Sequence, residues 1–157
     1  PFVLRAAARG LANLPIQVIM ATGGDRDPAQ LDLGPIAPNV HIVRFVSYND
    51  LLPRTDVVVS TGGGGTVLAA LNVGVPQVII PTEWDKPENA QRVTEAGAGL
   101  RLAPRQVTPK RLRETVQRVL ADPSFRRNAQ RLAASFARLG GAARAAELLE
   151  ELSTHPW

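Results

Sequence analysis

A run of four glycines, Gly62–Gly65, is the part of the sequence best suited to chemistry. It follows an apolar stretch typical of a buried strand and precedes a helical pattern. A strand that passes through such a run into a helix exposes backbone N–H groups at the helix start. There the helix dipole favours an anion, and the missing side chains let a phosphate come close. The sequence therefore predicts a diphosphate site, whose residues are Thr61, Gly62, Gly63, Gly64, Gly65 and Thr66.

Two familiar nucleotide-binding motifs do not fit this run. No Gly-Lys-Ser/Thr follows the glycines, which disfavours a P-loop NTPase, and Val67 and Leu68 occupy the possible positions of the third glycine in the dinucleotide fingerprint. The alternative to a ligand site is a tight strand-to-helix turn that needs glycine only for packing. Four consecutive glycines carry a conformational entropy cost that packing alone rarely requires.

A second candidate segment follows the next apolar strand and contains Trp84, Asp85 and Lys86. Ligands in open α/β sheets lie outside the carboxyl ends of the strands, so this loop and the glycine run should face one crevice. Asp85 could accept hydrogen bonds from a pair of sugar hydroxyls. The alternative is that Asp85 only caps the helix that begins near Pro87.

A third segment, Phe45 to Pro53, lies at the end of another predicted strand. The rings of Phe45 and Tyr48 could stack on a nucleobase. The alternative is that Phe45 closes the core and Tyr48 caps a turn. The residues alone leave both interpretations open.

The elements that must position these segments alternate along the chain. Short apolar runs predict strands over residues 16–21, 40–45, 56–60, 77–81 and 99–102. Helical spacing and capping residues predict helices over 2–14, 66–73, 87–96, 108–120, from 123 onward and 142–152, with a helical turn at 50–53. The run at 56–60 is of the kind buried on both faces of a parallel sheet. This alternation predicts an α/β, doubly wound parallel sheet in a single domain over residues 1–157.

Composition excludes several classes of site. The 157 residues contain no Cys and two His, His41 and His155, so no disulfide, thiolate or helical His pair is available and no metal cofactor is expected. The net charge of +4 invites a nucleic-acid interpretation. We disfavour it, because the cations between Arg101 and Arg138 lie at helical spacings among Leu, Val and Ala, which is typical of a solvated helix face. No apolar stretch is long enough to span a bilayer and no signal peptide is present, which predicts a cytoplasmic protein.

Five ordered blocks resemble the donor-binding half of GT-B glycosyltransferases that act on small molecules, the macrolide, glycopeptide-antibiotic and UDP-glucuronosyl type. The blocks are Phe45-Val46 with Leu51-Leu52-Pro53, Gly62-Gly63-Gly64-Gly65-Thr66, Gly74-Val75-Pro76-Gln77, Asp85-Lys86-Pro87-Glu88-Asn89-Ala90 and Gly97-Ala98-Gly99. The resemblance implies a Rossmann-like C-terminal lobe that binds a nucleotide diphosphate sugar. It implies a nucleobase site at Phe45, Val46 and Tyr48, a diphosphate site at the glycine run, and a sugar site at Trp84, Asp85 and Lys86.

The chain also departs from the family pattern. Thr61 stands where the family places His in His-Gly-Gly-x-Gly-Thr, which replaces a potential cation by a neutral hydroxyl. Ala69 stands where many UDP-sugar users place a Glu on the ribose, which suits the deoxyribose of a dTDP-sugar. Lys86 replaces the Gln beside Asp85 and could pair with that carboxylate. Ser47-Tyr48 replaces the Pro-Gln after the aromatic residue.

The resemblance further implies that two parts of the family protein are missing. One is the first strand of the lobe, which should lie between residues 16–21 and 56–60, so these two strands should either pair directly or seek another copy of the chain. The other is the acceptor-binding N-terminal lobe with its His general base, which neither His41 nor His155 replaces. We therefore expect the nucleotide-sugar-binding half of an inverting glycosyltransferase, with no catalytic residue of its own and inactive in isolation. The alternative is a non-catalytic nucleotide-sugar- or partner-binding module derived from such an enzyme.

Overall fold

The computed structural model describes residues 2–24 and 27–154, and His155 lies outside them. The strands in these ranges are β1 Val18–Ala21, β2 Val40–Val43, β3 Val58–Ser60, β4 Gln77–Ile79 and β5 Gly99–Arg101. The helices are α1 Phe2–Gly10, α2 Tyr48–Leu51, α3 Gly64–Asn72, α4 Lys86–Glu95, α5 Pro109–Ala121, α6 Pro123–Arg138 and α7 Gly141–Thr154. Three short 3₁₀ turns occupy Pro28–Gln30, Leu52–Arg54 and Pro104–Gln106.

The strands form two parallel sheets. In one, β1 pairs with β2 in the register Val18 to Val40; in the other, β4 lies between β3 and β5. Within the described residues no ladder joins β1 to β3, so these two strands do not close the sheet by pairing directly. Whether a further strand belongs between them stays a prediction.

Helices cover both faces of the three-stranded sheet, because successive side chains of a strand point to opposite faces. Val78 and Ile80 belong to a core cluster shared with α1, α5 and both sheets, whereas Ile79 belongs to a second cluster with α3, α4 and α6. All three are completely buried. By contrast, β3 is half-buried, not buried on both faces as its sequence suggests, because it is an edge strand of its sheet.

Helix α1 ends at Gly10, four residues before the predicted end. Gly10 packs so closely against the start of α5 that an added Cβ would overlap the carbonyl oxygen of Pro109. The guanidinium of Arg113 on α5 donates hydrogen bonds to the carbonyls of Gly10 (2.6 Å) and Ala12 (2.9 Å). Arg113 thereby satisfies carbonyl groups at the C-terminal end of α1 that lack helical partners.

The helices at the C-terminal side begin at the predicted caps. Thr108 Oγ1 accepts a hydrogen bond from Arg111 N over 3.1 Å at the start of α5, and Asp122 Oδ1 accepts one from Ser124 N over 2.9 Å at the start of α6. The side chains of α7 are exposed from Gly141 to Ser153. None of the helices in the described ranges is long and apolar enough to cross a membrane.

Candidate functional site

The glycine loop leaves β3 at Ser60 and turns sharply at Gly62. The φ of Gly62 is +88°, a region that side-chain-bearing residues rarely adopt, and a Cβ built there would lie 2.6 Å from Ile79 Cγ2. The backbone N–H of Gly62 donates to Ser60 Oγ over 3.1 Å. The fold therefore requires glycine at position 62 whether or not a ligand binds.

The next three glycines meet no such requirement. Gly63 is the N-cap of α3, with φ −60° and ψ 137°, and Gly64 and Gly65 are the first two residues of the helix. An added Cβ would meet no heavy atom within 4 Å at Gly63 or Gly65, and at Gly64 only side-chain atoms at 3.5 Å and beyond. A turn needed only for packing thus explains Gly62 but not Gly63, Gly64 or Gly65.

The start of α3 is open and has no capping side chain. The first intrahelical bond runs from Val67 N to Gly63 O over 3.0 Å, so the N–H groups of Gly64, Gly65 and Thr66 precede it. The helix begins two residues earlier than the sequence predicts, which places two of the glycines in its first turn. Free N–H groups, the helix dipole and open space together form an arrangement suited to an anion.

The predicted sugar loop lies against the glycine loop. Asp85 Oδ2 is 3.5 Å from the position of a Cβ on Gly64, and Asn89 Nδ2 donates both to Asp85 Oδ2 (2.8 Å) and to the carbonyl of Gly62 (2.9 Å). Asp85 occupies the N-cap position of α4, yet its side chain makes no capping hydrogen bond. Its carboxylate is instead exposed beside the start of α3, where a bound sugar hydroxyl could reach it.

The two neighbours of Asp85 in the chain make no hydrogen bond to its carboxylate in the described part of the structure. Lys86 Nζ donates to Thr82 Oγ1 over 3.1 Å, and among the described residues it forms no ion pair with Asp85, although the sequence allows one. Trp84 is 87% exposed and has a φ of +62°, unusual for an aromatic residue. Trp84 is therefore available at the rim of the loop, whereas the Lys86 ammonium is engaged with Thr82.

The predicted nucleobase segment contributes one exposed ring and one anchored ring. Phe45 is 76% exposed and does not close the core. Val46 is half-buried beside it. Tyr48 is the first residue of α2, and its Oη lies 3.0 Å from Thr66 Oγ1. The third segment therefore reaches the glycine loop through Tyr48.

Sequence reasoning did not assign a role to Asn89 or foresee the contact between Tyr48 and Thr66. Asn89 was visible only as part of a family block, although its spacing of four residues from Asp85 places both side chains on one face of α4. The Tyr48 contact joins residues 18 apart across two elements, and no local pattern encodes it.

Comparison with known proteins assigns the chain to a known family. A family profile described as "Erythromycin biosynthesis protein CIII-like, C-terminal domain" matches residues 9–152. The chain is 36% identical over 152 residues to demethyllactenocin mycarosyltransferase of Streptomyces fradiae, covering 97% of this chain and 32% of that protein.

Solved structures give the same result. The calicheamicin glycosyltransferase superposes with a TM-score of 0.86 at 37% identity, covering 96% of this chain and 37% of that one. Glycosyltransferase VinC in complex with dTDP superposes with a TM-score of 0.76 at 32% identity, covering 91% of this chain and 37% of that one. The chain spans about a third of the length of these relatives. These similarities confirm the predicted GT-B C-terminal fold.

Proposed function

Because the chain belongs to the erythromycin biosynthesis protein CIII-like C-terminal domain family, whose relatives here are glycosyltransferases, we propose that it binds a nucleotide diphosphate sugar. The diphosphate lies at the start of α3, the sugar beside Asp85, and the nucleobase against Phe45 and Val46. The donor is a dTDP- or UDP-sugar, and the acceptor is a small molecule bound by a separate lobe.

One observation carries this proposal. Gly63, Gly64 and Gly65 are glycines that neither the backbone conformation nor the packing demands. Glycine is about 1 kcal/mol less favourable than alanine in a helix interior, and Gly64 and Gly65 in the first turn contribute no side-chain packing to α3. Close approach of a phosphate to the backbone explains all three.

The site also supports a role in the transfer reaction of the whole enzyme. In an inverting transfer the acceptor oxygen displaces the nucleotide diphosphate in line at the anomeric carbon, and negative charge grows on the departing phosphate. The N–H groups of the first turn of α3 and its dipole would stabilise that charge without having to reorganise. The carboxylate of Asp85, anchored by Asn89, would orient the sugar through its hydroxyls. We propose no metal for this step and no general base from this chain.

Two features favour dTDP over UDP. Ala69 offers no carboxylate to bind a ribose 2′-hydroxyl, and the deoxyribose of dTDP has no such hydroxyl. The similar glycosyltransferase VinC has been solved in complex with dTDP. We therefore use dTDP as the first probe.

The test compares dTDP with thymidine, by thermal unfolding and by calorimetric titration. If the start of α3 binds the diphosphate, dTDP raises the unfolding temperature by linkage, whereas thymidine has little effect. Equal responses to both ligands, or none to either, contradict the proposal. The dTDP titration is repeated with EDTA, and a lost response would show that a metal participates.

Two alanine variants separate ligand binding from folding. Gly65→Ala places a methyl group in open space, and we expect unchanged or higher stability but a weakened dTDP response. Gly24→Ala is the matched control, because it also places a methyl group in open space and lies outside the candidate site. Equal dTDP affinity in the two variants would argue that the glycines do not contact the ligand.

Thr61 and Lys86 favour the alternative of a non-catalytic module, because both replace polar contacts of the family pattern. Such a module binds dTDP but has no transferase partner. The two hypotheses differ in one assay, transfer from a dTDP-sugar by the longest protein that the gene encodes. Transfer by that protein excludes the non-catalytic module.

A further inference from the structure

Two hydroxyl groups meet at the first turn of α3. Tyr48 Oη lies 3.0 Å from Thr66 Oγ1, although the two residues belong to different helices. Thr66 is the third residue of α3, beside the free N–H groups that would hold a phosphate. Tyr48 is 42% exposed, so a ligand can reach it.

The Tyr48–Thr66 pair has one hydroxyl proton left to donate. Each hydroxyl has one hydrogen to donate and can also accept. When one donates to the other, the second hydroxyl retains its own proton, which can be donated to a third group. A phosphate oxygen at the start of α3 is an acceptor placed to take it.

Several other polar side chains around the loop make hydrogen bonds that hold it together. Ser60 Oγ is engaged with Gly62 N. Asn89 Nδ2 is shared between Gly62 O and Asp85, and Lys86 Nζ is on Thr82. Thr61 supplies no positive charge. The Tyr48–Thr66 pair therefore lies beside the free N–H groups of α3 with one hydroxyl proton still to donate.

We infer that the Tyr48 hydroxyl, acting with Thr66, binds the diphosphate of the donor. The two hydroxyls are a neutral substitute for the cation that Thr61 does not provide. This inference rests on the proposed function and deepens it. It moves the polar end of Tyr48 from the nucleobase site to the phosphate site, and leaves Phe45 as the exposed ring for the base.

The test is a double-mutant cycle on the full chain with dTDP and thymidine as probes. Tyr48→Phe removes one oxygen atom and keeps the ring. Thr66→Val removes the partner hydroxyl, and Thr66→Ser is the matched control that keeps it. We expect Tyr48→Phe to raise the Kd for dTDP about tenfold, the size of one hydrogen bond to a charged acceptor, without changing the Kd for thymidine.

The cycle distinguishes a ligand contact from a structural one. Since the two hydroxyls act as one unit, the double variant should lose less affinity than the product of the two single losses. A Tyr48→Phe variant that binds dTDP as tightly as the original chain, or more tightly, overturns the inference, even if its free form unfolds at a lower temperature. If the original chain binds no dTDP, the proposed function fails as well. If it binds and Tyr48→Phe changes nothing, only the inference fails.

Discussion

The side-chain amide of Asn89 donates a hydrogen bond to the carbonyl of Gly62 over 2.9 Å, across 27 residues of sequence. The same nitrogen holds Asp85 at 2.8 Å, so one side chain ties the sugar loop to the glycine loop. We expect Asn89→Ala to lower the free energy of unfolding by about 1 to 2 kcal/mol and to weaken dTDP binding. Urea unfolding and calorimetric titration measure the two effects.

Gln91→Ala is the control for Asn89→Ala. Gln91 is an exposed amide on the same helix, and it bonds only along that helix to Glu95. We expect this variant to change neither stability nor dTDP affinity appreciably. Equal losses in the two variants would mean that the Asn89 contact has no special role.

Gly62→Ala and Gly63→Ala should differ strongly in how much stability they cost. Gly62→Ala forces a side chain into a left-handed backbone position and against Ile79, and we expect a loss of about 2 to 4 kcal/mol in unfolding free energy. Gly63→Ala meets no atom within 4 Å and should cost less than about 1 kcal/mol. Chemical denaturation checks this, and a Gly63→Ala loss as large as that of Gly62→Ala would contradict our account of the loop.

Thr61→His restores the cation of the family pattern. We expect tighter dTDP binding by about 1 to 3 kcal/mol while the imidazole is protonated. Because bound phosphate raises the pKa of the new histidine above its usual value of about 6.5, the gain is greatest at low pH and is lost as pH rises through the raised pKa. Titrations of dTDP between pH 6 and 8 test this. Unchanged affinity at every pH would show that position 61 does not face the diphosphate.

Asp122 gives the stability of the chain a defined pH dependence. Hydrogen bonds from Ser124 hold the pKa of the Asp122 carboxyl below its usual value, with smaller contributions from Arg127 and Arg118. A lowered pKa stabilises the fold above the unfolded-state pKa, and this stabilisation disappears as pH falls through the folded-state pKa. We expect Asp122→Ala to be less stable at neutral pH and to converge with the original chain in acid. Asp122→Asn keeps a capping side chain without a titrating group, so its stability should vary less with acid pH; identical pH profiles would contradict this account.

The separate sheets predict association of the chain. In the described residues, β1 pairs only with β2 and β3 only with β4, so one edge of each strand has no partner. Unpaired edges recruit strands. We expect light scattering after size exclusion to show self-association at tens of micromolar. A segment carrying the predicted additional strand should raise the unfolding temperature and favour the monomer. A strictly monomeric chain whose stability the segment does not change would show that no strand belongs there.

The helical and strand pattern was predictable because it depends on local signals. The Thr108-Pro109 and Asp122-Pro123 starts encode their own helix caps, and each is found as predicted. The start of α3 was misjudged by two residues because glycines carry little helix preference, whereas here the packing of Val67 and Leu71 fixes the helix. Local propensity is easily overruled by such burial.

The candidate site was predictable as three segments but not as a set of contacts. Carboxyl ends of parallel strands meet at one edge, which brings the glycine loop and Asp85 together as expected. The bond from Lys86 to Thr82 and the contact between Tyr48 and Thr66 depend on rotamers and on loop shape, which the sequence does not encode locally.

The bonds from Arg113 to Gly10 and Ala12 span 103 and 101 residues. Because a chain emerges from the ribosome with its N-terminus first, α1 leaves the exit tunnel long before α5 has been synthesised. Until α5 is made, α1 and the β1–β2 sheet expose apolar surface. Chains in such a state aggregate or recruit chaperones. Closing so long a loop is also slow, since its entropy cost is met before its contacts form. The docking of α1 on α5 thus makes completion of this domain a late event of its synthesis.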